Sequence, residues 1–209
     1  MEVEISDEAL VAKYLKNKDA SSFSSLMRRY QNRIYNSCYR MLGNKEEAEE
    51  IVQDTFLKIH QGIDAFRNET SFSAWIFRIA HNLCIDCLRT RKRKKRDIQF
   101  SAMLTLRSFF DNETEIPESQ QIADLSMEPG QRLDLKEESA MLEASLAEIP
   151  ETQRAVLILH DIEGLAYQEI AAIVGTSIGT VRSRLHYGRL KLKELLEPYY
   201  TQRNQAITR

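Results

Sequence analysis

The sequence predicts an all-α fold: two helical domains joined by a flexible acidic linker. Three observations carry this. Apolar residues recur at three- and four-residue spacing along most of the chain, and strand signals are scarce. Residues 97–134 break that period, with Pro117, Pro129, Gly130 and many Ser, Asp and Glu.

The first domain is expected at residues 1–96. Ser6 or Asp7 opens a helix bearing Leu10 and Tyr14. Asp19 caps a second, with Phe23, Leu26, Met27, Tyr30, Ile34 and Met41 on one stripe. Gly43-Asn44 ends it, and Asn44 with Glu47 has the form of a capping box. The third helix turns Ala48, Ile51, Val52, Thr55, Phe56 and Ile59 inward, and Glu46, Glu47, Glu49, Glu50, Gln53, Asp54 and Lys58 outward. A polar loop over residues 64–73 leads to a fourth helix, starting near Ala74 and ending at Arg96.

The linker spans residues 97–134, with a short helix expected at Met103–Phe110 and Phe109-Phe110 apolar enough to dock. The second domain spans residues 135–197. Leu142 and Leu146 share a face, Ile149-Pro150 breaks that helix, and Glu151–Ile162 forms the next. Residues 198–209 are expected to form a frayed tail.

Residues 165–196 read as a short helix, a glycine turn and a second helix with no acidic residue until Glu194. This is the layout of a DNA-reading helix-turn-helix. Ile170, Ala171 and Val174 face the turn, Gly175 supplies a positive φ, and Ser177 caps the second helix. Ala166 offers no side-chain cap to the first, a loss of about 1 kcal/mol. Val181, Leu185 and Leu192 point inward. Arg182, Ser183 and His186 are the candidate base readers; Arg184, Arg189, Lys191 and Lys193 suit phosphates.

The fourth helix of the first domain combines Trp75, Phe77, Arg78, His81, Asn82, Asp86 and Arg89, and seven of the eight residues 89–96 are basic. Rings stack on exposed bases, amides read base edges and cations hold phosphates, so this inventory fits single-stranded nucleic acid. Trp75 fits core packing equally well. Formal net charge is only −2, but it is segregated. Residues 1–96 carry 18 Lys/Arg against 13 Asp/Glu, residues 97–138 carry 3 against 10, and residues 139–209 carry 8 against 8.

Here two blocks resemble a known family. The segment YQNRIYNSCYRMLGNKEEAEEIVQDTFLKIHQGIDAF with FSAWIFRIAHNLCIDCLR is similar to domain two of the extracytoplasmic-function (ECF) group of bacterial sigma factors. The segment LAEIPETQRAVLILHDIEGLAYQEIAAIVGTSIGTVRSRL is similar to their domain four. The resemblance implies an alternative sigma factor that binds core RNA polymerase and directs promoter-specific initiation. It implies core-polymerase contacts at Glu49, Ile51, Gln53, Asp54 and Phe56. Asn82, Asp86 and Arg89 match the family's Asn-x3-Asp-x2-Arg pattern. With Arg67, Asn68, Trp75, Arg78, Arg91, Lys92 and Arg93 they are expected to read and help melt the −10 element. Ser177, Thr180, Arg182, Ser183, Arg184, His186, Tyr187 and Arg189 are expected at the −35 element. Tyr187 stands where many relatives carry a base, so the −35 sequence does not transfer. The linker is expected to thread the polymerase channel, and an anti-sigma protein to hold the chain inactive.

Other classes find little support. No Gly-rich phosphate loop, HExxH motif or Ser/His/Asp grouping is present, so no enzyme and no cofactor are expected. His81, Cys84 and Cys87 share a helix face, yet one helix rarely presents three zinc ligands well, so no metal is expected. Three cysteines suggest no disulfide framework. No apolar run nears 18 residues and no signal peptide is evident, so a cytoplasmic protein without membrane insertion is expected. A conventional repressor would leave the first domain unexplained.

Overall fold

The structure is a computed structural model that describes residues 5–67, 70–109 and 132–207. Asn68, Phe110 and the acidic segment 111–131 lie outside the described residues, as does the side chain of Phe109. The described residues form eight α-helices and no strand. They are α1 (Asp7–Asn17), α2 (Ala20–Leu42), α3 (Lys45–Gly62), α4 (Phe72–Phe109), α5 (Arg132–Glu148), α6 (Glu151–Leu157), α7 (Tyr167–Val174) and α8 (Ile178–Ile207). A 3-10 turn, Ile63–Ala65, follows α3, and a π-helical turn, Ile158–Ile162, follows α6.

Small polar residues start the first three helices. Ser6 Oγ accepts from the Ala9 N–H, Asp19 from Ser21, and Asn44 Oδ1 from Glu47 at 2.8 Å. Each satisfies an N–H that has no partner inside its own helix. The expected box at Asn44 is half made, because the Glu47 carboxylate turns to Arg91. Left-handed residues close α1 and α2, Lys18 at φ 50° and Gly43 at φ 66°.

Five features differ from the sequence reading. Helix α4 starts at Phe72, because Ser71 Oγ accepts from the Ala74 N–H and caps it earlier. It also runs on to Phe109 without a break, absorbing the short helix expected at Met103–Phe110. Nothing in residues 97–109 forbids helix, since that stretch holds no Gly or Pro. Helix α5 opens at Arg132, and the helix expected at Glu151–Ile162 widens into a π turn in its second half. The tail expected to fray is helical to Ile207, with Pro198 inside α8.

Helices α1 to α4 enclose one core, with Leu26, Tyr30, Ile34, Ile59, Phe72, Ile76 and Phe77 fully buried. Helices α5 to α8 enclose another around Leu146, Ile149, Ile158, Ile170 and Val181. Burying each large aliphatic or aromatic side chain contributes about 1.5–3 kcal/mol. Helix α8 crosses α6 closely at Gly188, where an added Cβ would stand 2.9 Å from Leu157 Cδ1.

The two units pack against each other: α5 and α6 lie on α2, and α7 lies on α4. Two side chains each serve a helix end in both units. The buried Arg154 of α6 donates to the Met41 carbonyl at the end of α2, 2.8 Å, and to Ala147 at the end of α5, 2.7 Å. Glu169 of α7 accepts from the Ala166 N–H, 3.0 Å, and from Ser71 Oγ at the start of α4. Cation meets carbonyl ends and anion meets amide ends, as the helix dipole favours. Glu169 thereby supplies part of the cap that Ala166 lacks.

Candidate nucleic-acid interface

In α4 the buried residues Phe72, Ile76, Phe77, Ala80, Cys84 and Leu88 form one stripe. Helical geometry then places Arg78, Asn82, Asp86 and Arg89 together on the opposite, exposed face. Arg93 continues it one turn further, also exposed. Asp86 pairs with Arg89 across one turn at 3.6 Å. Arg91 and Lys92 are already engaged. Arg91 binds the Glu47 carboxylate and the Leu42 carbonyl, and Lys92 binds Glu151 of the second unit at 2.8 Å. Trp75 is half-buried against Phe66 and Phe72, with ring centroids 5.2 and 5.8 Å away, so packing takes most of its surface. Arg67 is exposed.

The second surface is the start of α8. Gly175 takes φ +64° at the turn after α7, a conformation that a side chain resists. Ser177 Oγ accepts from the Thr180 N–H at 3.1 Å and meets Thr180 Oγ1 at 2.9 Å, so these two residues build the cap. Val181 and Leu185 are buried, which turns Arg182, Ser183, His186, Tyr187 and Arg189 to solvent. Ile173, missed by the sequence reading, is buried with Ile170. Its signal was the three-residue step between them. Arg182 lies over the Tyr167 ring at 5.7 Å, and Arg189 forms a two-pronged pair with Asp161.

Between the two surfaces lies a cavity of about 640 Å³. His81, Asn82, Asp86, Arg89 and Lys92 line it from α4; Glu151, Val174, Gly175 and Arg184 line it from the second unit. Burial lowers His81 to a pKa of about 4, since the charged imidazolium loses its water. Nearby, Arg33 of α2 stacks on Tyr30 and Phe77 and donates to the Glu163 carboxylate at 3.1 Å. The Glu163 side chain is only 3% exposed. Its pKa is raised, because burial outweighs the attraction of Arg33.

Helix α3 carries the other candidates. Glu49, Gln53 and Asp54 are exposed and Phe56 is half-buried, but Ile51 is buried at 5% and faces the core. Leu57, which the sequence reading passed over, is 55% exposed on the face that carries Glu50, Gln53 and Asp54. An apolar residue three and four positions from that polar pair was the available signal. His81, Cys84 and Cys87 do not converge. The Cys84 thiol meets Cys38, and that contact with burial pushes its pKa up, while Cys87 lies beside Glu47. Among the described residues no group of His, Cys, Asp or Glu is arranged to hold a metal ion. Among them also, no helix is long and apolar enough to cross a membrane.

Two helical units, one ending in a basic helix and one in a helix-turn-helix, define a protein of the sigma-70 class. The family model for Sigma-70 region 2 matches residues 26–94, and that for Sigma-70, region 4 matches residues 139–192. The chain is 35% identical to the ECF RNA polymerase sigma factor SigW of Bacillus subtilis, over 88% of this chain and 94% of that protein. It is equally identical to SigE of Mycolicibacterium smegmatis, also an ECF sigma factor, over 88% of this chain and 65% of that one. Its fold is similar to that of the sigma factor RpoE in complex with the anti-sigma factor NepR from Bartonella quintana. That match has a TM-score of 0.63 at 26% identity and covers 84% of this chain and 96% of RpoE. The chain belongs to the ECF RNA polymerase sigma factors. Sigma factors are non-enzymatic regulators of transcription.

Proposed function

We propose that this chain binds core RNA polymerase in the cytoplasm and directs it to a subset of promoters by reading −35 and −10 elements. Two separate basic helices, one per unit, support this most directly. The helix-turn-helix suits duplex DNA at −35, with Ser177, Thr180, Arg182, Ser183, Arg184, His186, Tyr187 and Arg189 as its contacts. The exposed stripe Arg78, Asn82, Asp86 and Arg89, with Arg67, Asn68 and Arg93, suits the −10 strand. Trp75 stacks on a base only if it leaves part of its aromatic cluster. Melting is then driven by binding energy, through capture of an unstacked base. Residues 1–96 serve polymerase and −10 contact, 97–134 join the units, beginning as the helical continuation of α4 to Phe109, and 135–197 serve −35 contact. Glu49, Gln53, Asp54 and Phe56, joined by Leu57, form the polymerase-facing patch. An anti-sigma protein is the expected inhibitor, since RpoE of Bartonella quintana is held in complex with one.

The test mixes purified protein with sigma-free bacterial core polymerase and maps transcript starts on fragmented genomic DNA from the source. Discrete starts sharing two upstream elements are the expected result. Tight core binding without starts would instead indicate a polymerase-sequestering protein.

A further inference from the structure

The π-helical turn Ile158–Ile162 has no part in the function proposed so far. Its hydrogen bonds have ordinary lengths but wide spans: the Glu163 N–H donates to the Ile158 carbonyl five residues back, and Leu165 to Leu159 six residues back, each at 3.0 Å. Such turns are rare and frequently mark functional positions. Here two consecutive residues of the turn bear on the recognition helix, Asp161 directly through Arg189 and His160 through Tyr167 of α7. The His160 ring lies against the Tyr167 ring, centroids 4.7 Å apart at 35°. Its Nδ1 lies 3.0 Å from the Leu165 carbonyl, which can only accept, so Nδ1 carries the proton and the ring plane is fixed. The same Tyr167 ring meets Arg182, whose guanidinium sits 5.7 Å from its centroid. Asp161 meanwhile grips Arg189 by two hydrogen bonds. Arg182 and Arg189 are seven residues apart, so they share one stripe of α8.

We propose that Tyr167, seated on His160 of the π turn, is a positioning residue that sets Arg182 for base reading at the −35 element. An exposed arginine must otherwise give up much rotamer freedom to present its planar fork to a base. A ring beneath the guanidinium removes part of that freedom before DNA arrives. Because a cation over a ring face is held without a hydrogen bond, the guanidinium N–H groups stay available for a guanine in the major groove. Asp161 does the matching work on Arg189 through its edge, which leaves that arginine a poorer phosphate ligand than its exposure suggests.

This inference rests on the reading of α8 as the −35 helix, and its test separates the two. Holoenzyme reconstituted from purified core polymerase is challenged with a promoter library randomised across the −35 element. Wild type, Arg182→Ala, Tyr167→Ala and Tyr167→Phe are compared by base preference at each position. Arg182→Ala is expected to flatten preference at one or two adjacent positions, which marks the base that it reads. Tyr167→Ala should weaken preference at those same positions, by roughly two- to five-fold for an exposed cation–π contact, and leave the others intact. Tyr167→Phe, which keeps the ring, should restore the wild-type pattern. Wild-type preference in Tyr167→Ala would overturn the proposal, and so would an equal loss at every position, which would mark a purely structural tyrosine. If Arg182→Ala changes no position, the base-reading role of Arg182 fails and the positioning role falls with it.

Discussion

The two candidate DNA surfaces differ in readiness. On α8, Arg182, Ser183, His186 and Tyr187 stand in solvent, with Arg182 resting on Tyr167 and the helix cap already built. On α4, Asn82, Asp86 and Arg89 look into a cavity whose far wall is the second unit, and Lys92 is tied to Glu151 across it. A duplex can approach the first surface as it stands. Arg78, Asp86 and Arg89 are exposed, so a single strand can reach the outer edge of the second surface, but it can cover the cavity side only once the units part. The packing between units therefore limits how much of α4 a strand can cover, and its strength decides how firmly that limit is kept.

Arg154 is the group whose loss should change this comparison most. Its guanidinium is buried and donates to Met41, Ala147 and Ile149, joining the ends of α2 and α5. Arg154→Met keeps the stem but strands those carbonyls. A loss of about 3 kcal/mol or more is expected, because buried acceptors without donors bear their full desolvation cost. Urea unfolding measures the loss. Small-angle scattering should show the surviving folded fraction to be more extended. An unchanged midpoint would mean that water satisfies the three carbonyls.

The Arg33–Glu163 pair should behave asymmetrically. Burial raises the Glu163 pKa despite Arg33, so the charged pair recovers less than its desolvation costs. Glu163→Gln, which retains a hydrogen-bonding group without the charge, is expected to alter closure by under about 1 kcal/mol. Arg33→Met leaves a carboxylate at 3% exposure without its partner and should cost about 2–3 kcal/mol of closure. Distances between spin labels on α2 and α8 would resolve the two cases. Equal effects would show that the pair acts through charge attraction alone.

Helix periods, caps and the helix-turn-helix were legible in the sequence because they rest on local chemistry. Asp19, Asn44, Gly175 and Ser177 act where their side chains or backbones dictate. The legible part of the candidate site was its composition; its state was not. That Arg91 is occupied by Glu47, and Lys92 by Glu151, depends on which helices meet, and basic residues in a run look alike on paper. Ile51 fits both a docking motif and a core stripe, and only packing placed it at 5% exposure. The π turn was hidden for a related reason: residues 151–162 have ordinary helical periodicity, which does not distinguish an α from a π turn.

A smaller effect than the loss of Arg154 or Arg33 is expected from the pH dependence of closure. His81 lines the cavity between units, and burial lowers its pKa from 6.5 to about 4. Asp86, Arg89 and Lys92 face it from α4, and Glu151 and Arg184 from the second unit. When the units part, water returns to the imidazole and its pKa rises toward the ordinary value. The open form then binds a proton that the closed form refuses. Closure is thus fully supported above pH 6.5 and weakens as pH falls from there toward 4. Glu163 acts in the opposite sense, because its closed-state pKa is raised, and so it favours closure as pH falls into the carboxylate range. Between about pH 7 and 5.5 the His81 contribution should dominate, at roughly 1 kcal/mol. Scattering profiles across that window should show the chain extending as acid is added, and His81→Gln should remove the trend. A trend that survives His81→Gln would assign the proton to another group in the cavity and would leave the closed face of α4 without its own acid sensor.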